Sequence, residues 1–432
     1  MFVKIVRVFL LVVALFGWFF AFEILWFKPS FLPTHTFTEK TYVRSEPQIT
    51  YYLRPHAFSP DGKILAIGRA DGAVSLWSLE SQKQLMSLPG NNEAVVQTWF
   101  SPDGRFLAAS HNYGGFFLWE LETRKKTALQ MINAVQWFAF TPGSKLLIYQ
   151  DWDRSEIHVW HLARSKEPIV MENAQLMDSL ALFPNGRTLA SVSQKVDNNR
   201  IVREVILWNV ASGNKEGSFS FHPLKAYSLA AIAPDNNTVI FESENGTELS
   251  IWDRRKGKVK IGPTFSNVVN SARFSPDGKT LITLGSEMKT WDANNWQEIS
   301  SVPIEYGHCQ TLTTDGNTLA VADSVPRSEG FVGWLFTLFS MEPNSQELVK
   351  VWNRTGKMIA VLPDASLPLF SPDGKTLASI NRDGFVQLWD IPPRKNYLRA
   401  VGLWTLGLMP VAAGLCWYWF RAKRRSRATS AP

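Results

Sequence analysis

The chain has 432 residues, 19% of them charged and 13% aromatic, a balance that calls for a large apolar interior. Its net charge of +7 sits at its ends: Lys4 and Arg7 near the start, and Arg421, Lys423, Arg424, Arg425 and Arg427 near the finish. The other Lys and Arg balance the 38 Asp and Glu, which leaves no basic face for phosphates and excludes nucleic acid as a partner.

In chain order the first predicted element is an apolar run over residues 8–27, broken only by Glu23. It is long enough to span a bilayer. No small-x-small cleavage site follows its centre, which favours an uncleaved anchor over 1–27 against a cleaved signal peptide. Residues 28–36 contain Pro29 and Pro33 and read as a linker.

From there to residue 391 one two-part phrase recurs. Phe58-Ser59-Pro60-Asp61-Gly62 is followed by Leu76-Trp77, and Phe100-Ser101-Pro102-Asp103-Gly104 by Leu118-Trp119. The phrase returns at Phe274 to Gly278 with Trp291 and at Phe370 to Gly374 with Trp389. Weaker copies are Thr141-Pro142-Gly143 with Trp160, Phe183-Pro184-Asn185-Gly186 with Trp208, and Ala233-Pro234-Asp235-Asn236 with Trp252. The most degraded is Thr313-Thr314-Asp315-Gly316 with Trp352. The period is about forty residues, the mark of a repeat architecture.

Ser-Pro-Asp-Gly is turn chemistry, because proline presets one φ and glycine accepts a positive one. Alternating apolar runs flank it, and second turns such as Asp71-Gly72 and Asp383-Gly384 lead into the Trp-bearing runs. Each unit is thus an antiparallel meander that must bury its faces against its neighbours.

On these residues the chain resembles the WD-repeat β-propellers. The resemblance implies an all-β, eight-bladed propeller over 37–391, its blades anchored by Trp77, Trp119, Trp160, Trp208, Trp252, Trp291, Trp352 and Trp389. The family's Gly-His pair is missing, with Gly90-Asn91 in one such place. Of the aspartates that would join that histidine, only Asp71 and Asp383 are present. The buried Asp-His-Ser/Thr-Trp network is therefore not expected. In the family an N-terminal strand completes the last blade, and residues 36–43 are the candidate for it here.

Two units are stretched. In the fourth, the polar segment from Val196 to Arg203 reads as a plain loop. In the seventh, an insertion over 324–346 carries Phe331, Trp334, Leu335, Leu338 and Phe339. It is too short to cross a membrane. It is either a loop helix packed on its own propeller or a docking patch for a partner.

Residues 400–420 hold no charge and end in Trp417-Tyr418-Trp419-Phe420, as suits a headgroup boundary. A second transmembrane helix is expected over 396–420, followed by a basic tail over 421–432. The positive charges favour both termini in the cytoplasm and the propeller on the extracytoplasmic side. Arg394, Lys395 and Arg399 weigh towards the reverse arrangement.

The seven histidines show no metal or catalytic spacing, and His158 and His161 fall on opposite faces of one predicted strand. No nucleophile elbow, phosphate loop or Cys pair motif is present. Neither cofactor nor metal is expected, nor an enzyme. The first functional reading is a membrane-integrated, non-enzymatic scaffold for protein partners. The second is a propeller that binds or transforms a small molecule or glycan at its central channel. The third is a signalling module acting through its short tail.

Overall fold

Every one of the eight turn phrases closes in the same way, with the amide three residues along donating to the first carbonyl. Gly62 N–H donates to Ser59 O at 2.8 Å, Gly278 to Ser275 at 2.9 Å and Gly374 to Ser371 at 2.9 Å. The fourth residue has positive φ, 69° at Gly62, which glycine takes without strain. Two weaker copies keep that backbone without glycine there, using Ser144 at 50° and Asn236 at 57°. The turn geometry thus outlasts the motif.

The computed structural model describes residues 33–41, 56–112, 115–129, 137–151, 156–162, 168–171, 177–197, 200–220, 226–243, 245–269, 271–304, 309–326 and 345–392. Their strands form eight four-stranded antiparallel sheets, so the described residues make an eight-bladed all-β propeller. Seven blades use four consecutive strands. The eighth combines the three strands of 366–390 with the N-terminal strand His35–Lys40. All strands lie in one compact unit, Thr34–Ile391. The two segments expected to span a membrane lie outside the described residues. No helix among the described residues is long and apolar enough to cross one.

The tryptophans set the register. Each anchor sits on the third strand of its blade opposite an aliphatic residue of the second: Trp77 opposite Leu65, Trp119 opposite Leu107, Trp208 opposite Leu189 and Trp389 opposite Leu377. Trp160, Trp252, Trp291 and Trp352 face Leu147, Val239, Leu281 and Leu319 in the same way. The core is divided among the blade junctions. Ala66, Val74 and Leu76 of blade 1 pack on Leu107, Ala109 and Trp119 of blade 2, and Ile148 and Met171 of blade 3 pack on Leu189 and Trp208 of blade 4. Each junction is a small core of its own, as stacked repeats require.

The ring is closed by pairing the propeller's first and last strands. His35 pairs with Leu388 and Lys40 with Phe385, so the closing strand runs from 35 to 40. Phe37 fills the junction between blades 8 and 1, beside Leu65, Ile67 and Leu388. Its ring meets that of Trp77 edge-on at 5.1 Å. The end of the expected 36–43 segment falls outside the described residues.

Two expectations are corrected. The stretch at Val196 to Arg203 is no plain loop: Thr188–Asp197 and Arg200–Asn209 are paired continuously from Thr188↔Asn209 to Asp197↔Arg200. Polar residues at a hairpin tip need no buried face, so the alternation that marks a half-buried strand is missing there. The Trp-hydroxyl half of the buried network also forms. Trp208, Trp291 and Trp389 donate their indole N–H to Ser191, Thr283 and Ser379 at 2.9, 3.0 and 2.9 Å. Each hydroxyl lies two residues after the aliphatic partner, on the same face of the second strand.

Candidate functional site

An antiparallel meander places its first and third turns at one end and its second turn at the other, so the ring has two unlike faces. The first face is a collar of the eight turn phrases. In the best copies the Ser hydroxyl donates to the Asp carboxylate two residues on, at 2.6 Å for Ser59–Asp61, Ser275–Asp277 and Ser371–Asp373. It also accepts the amide N–H that opens the next strand, such as that of Ile64 at 2.9 Å. Thr313 and Asp315 repeat the arrangement at 2.6 Å. These hydroxyls, with the following backbone N–H groups, hold the carboxyls of Asp61, Asp277, Asp315 and Asp373 below the usual aspartate range. Neighbouring turns join across blades. Asp103 N–H donates to Ser144 Oγ at 2.9 Å, Asn185 N–H to Asn236 Oδ1 at 2.8 Å, and Thr314 Oγ1–H to the Pro372 carbonyl at 3.0 Å.

The chain also enters and leaves the ring on this face. Thr34 N–H donates to the Leu388 carbonyl at 2.7 Å, and its hydroxyl to the same oxygen at 3.0 Å. Two residues beyond Leu388 the third strand of blade 8 ends at Asp390.

The opposite face is shaped by hairpins of unequal length. In blade 1 the second and third strands pair only from Ile64↔Ser78 to Gly68↔Val74. In blade 7 the ladder continues from Thr318↔Asn353 to Pro326↔Ser345, and in blade 4 it is longer still. At about 3.4 Å per residue, four further pairs carry the hairpin roughly 14 Å beyond a short one. At its base Lys350 and Asp323 form an ion pair of 3.1 Å, their side chains 11% and 15% exposed. Burial holds the Lys350 ammonium below its usual range. The expected contact residues Phe331, Trp334, Leu335, Leu338 and Phe339 lie outside the described residues. The described strands show where their segment leaves, between Pro326 and Ser345 at the end of the hairpin far from the turn collar.

The innermost strands, which line the centre of the ring, are largely apolar, as in Val95–Phe100, Phe138–Phe140 and Ser366–Phe370. Among their described side chains Arg273 is the exposed charged one. Among the described residues no group of three His, Cys, Asp or Glu could hold a metal ion. His158 is buried against Tyr149, stacked at 5.0 Å, and 3.1 Å from Glu156. His161, on the other side of that strand, is half-buried. His111 is fully buried and bridges blades, with Nε2 3.0 Å from the Gly72 carbonyl. The sequence reading missed the groove between blades 2 and 3 on the turn face. Its walls come from residues about forty apart, and no local pattern marks it.

The family model for the WD domain, G-beta repeat matches residues 53–78 and 364–390. Those segments hold the turn phrases and tryptophans of blades 1 and 8. With the eight sheets, these matches support the resemblance to the WD-repeat β-propellers. Similar proteins include the general transcriptional corepressor TUP1 of Saccharomyces cerevisiae, 39% identical over 51 residues, which are 12% of this chain and 7% of that one. Autophagy-related protein 16 of Arabidopsis thaliana is 21% identical over 248 residues, 50% of this chain and 47% of that one. The chain therefore spans less than half of either relative. Among solved structures, the β-propeller domain of Cps50 (Swd1) from Myceliophteria thermophila has a TM-score of 0.47 at 12% identity, covering 82% of this chain and 99% of its own. The Mitotic Checkpoint Complex contains a chain with a TM-score of 0.49 at 14% identity, covering 84% and 96%.

Proposed function

We propose that this protein is a membrane-anchored, non-enzymatic scaffold that holds a protein partner on the hairpin face of its propeller. The observation that carries the reading is the pairing of the chain's entry and exit on the turn face, Thr34 against Leu388. The apolar runs at 8–27 and 400–420 lie just beyond those two points in sequence. Two membrane helices attached there would leave the hairpins of blades 4 and 7 directed away from the bilayer. The basic tail favours both termini in the cytoplasm and the propeller outside it. WD-repeat propellers are typically binding scaffolds, which supports a scaffold over an enzyme.

The partner site is the 324–346 insertion on the blade 7 hairpin, with Phe331, Trp334, Leu335, Leu338 and Phe339 as apolar contacts. Changing Trp334 and Phe339 to serine should weaken recovery of partners from solubilised membranes by tenfold or more, at roughly 1–2 kcal/mol per lost anchor. Membrane insertion and the melting temperature should stay as they are. A double variant that melts early would make the segment part of the propeller's own packing and end this assignment.

A further inference from the structure

Blades 2 and 3 leave a groove of about 790 Å³ between them on the turn face. Its floor is apolar. Phe106 and Leu118 are buried there, and Trp160 and Leu162 close the blade 3 side. Its rim carries both signs of charge, and the acids are already engaged. Asp103 accepts the Ser101 hydroxyl at 2.6 Å and the Arg105 amide at 3.1 Å. Glu120 accepts the Thr123 hydroxyl at 2.7 Å and lies 3.5 Å from the Arg105 guanidinium. Lys125 and Lys145 are exposed, and their ammonium groups have no ion-pair partner among the described residues. Arg105, Lys125 and Lys145 against Asp103 and Glu120 leave the groove lining with a net positive charge.

Unspent ammonium groups above an apolar floor suit an amphiphilic anion better than a free ion, because the floor offers a small ion nothing. The groove opens on the face where the chain enters at Thr34 and ends its last strand at Asp390, each leading to an apolar run long enough to span a bilayer. We propose that the groove seats the headgroup of an anionic phospholipid. Its phosphate meets Lys125 and Lys145, and its glycerol and first methylenes lie over Phe106 and Trp160. The source of the ligand rests on the membrane-anchored reading, whereas the chemistry of the groove does not.

The full chain in a neutral detergent can be titrated with dihexanoyl-phosphatidylglycerol, dihexanoyl-phosphatidylcholine and inorganic phosphate. Two surface ion pairs at up to about 1 kcal/mol each correspond to a preference for phosphatidylglycerol of up to roughly thirtyfold. Lys125→Gln with Lys145→Gln should abolish the preference at an unchanged melting temperature. Lys63→Gln with Lys375→Gln, on the same face outside the groove, should keep it. Equal binding of the two lipids, an unaffected groove variant, or inorganic phosphate binding as tightly as phosphatidylglycerol would each overturn the proposal. Alkaline extraction reads the anchoring separately. A chain released by it that still prefers phosphatidylglycerol would retire the anchor and keep the groove.

Discussion

At the scale of single residues, the tryptophan anchors are not equivalent. In blades 4, 6 and 8 a Ser or Thr two residues beyond the aliphatic partner accepts the indole N–H. In blades 1 and 2 that position holds Ile67 and Ala109, and the indole nitrogens of Trp77 and Trp119 are buried without a partner. An unpaired buried donor costs about 1–3 kcal/mol, and a made hydrogen bond returns about 1. Ser379→Ala should therefore lower stability by about 1–2 kcal/mol in denaturant unfolding. Ala109→Ser should raise it by about 1 kcal/mol, and a loss on that change would show that Trp119 has no room for the hydroxyl. Glu242 of blade 5 is a second unequal site. Burial pushes its carboxyl above the usual range, against the Ser228 hydroxyl that donates to it at 3.1 Å. Its ionisation is thus opposed in the folded state, and the penalty grows as pH rises from the unfolded glutamate value through the folded one. Glu242→Gln should raise the melting temperature at pH 8, with the gain shrinking towards pH 4. A gain that is flat across that range would remove ionisation as the cause.

At the scale of elements, two strands differ in their duty. The closing strand His35–Lys40 carries Phe37 into the junction of blades 8 and 1 and removes the ring's only long seam. Phe37→Ala should cost about 3–5 kcal/mol and open the ring at that seam, read as faster amide exchange in 385–390 than in blade 4. Beyond Ser193 and its partner Glu204, the two strands of the blade 4 hairpin pair only with each other among the described residues. Replacing residues 194–203 with a two-residue turn should leave the melting temperature within about 1 kcal/mol-equivalent of the starting protein. A larger drop would mean that the extension packs on a neighbour. The second and third strands of blade 7 form a comparable ladder, out to Pro326↔Ser345.

At the scale of the whole molecule, the two faces carry different work. The turn collar couples the blades through bonds such as Asp103 to Ser144 and gathers both chain ends, while the hairpins reach out from the other side. The membrane-anchored reading predicts one fixed topology. Reporter fusions should find residues near Ser212 outside the cytoplasmic membrane and Ser430 inside. Protection of the propeller from protease added to intact cells would reverse the topology and place the hairpin face in the cytoplasm.

What the sequence by itself determined is whatever a few adjacent residues decide. Ser59-Pro60-Asp61-Gly62 specifies its turn within four positions, since the φ values and the hydroxyl-carboxylate bond are local. Eight such turns, each with a tryptophan at repeat spacing, specify the blade count, because a single meander cannot bury its own faces. Even the closing strand was legible, from the missing fourth strand after Trp389. The tertiary structure decided what depends on partners distant along the chain. It placed Ser379 beneath Trp389 across a strand pair and left Trp119 unpartnered over Ala109. It turned the polar stretch at Val196 to Arg203 into a ladder, since hydrogen bonding across a hairpin needs no apolar alternation. It also set Arg105 and Lys125 of one blade beside Lys145 and Trp160 of the next, a groove that exists only because two repeats with unremarked surfaces are stacked edge to edge.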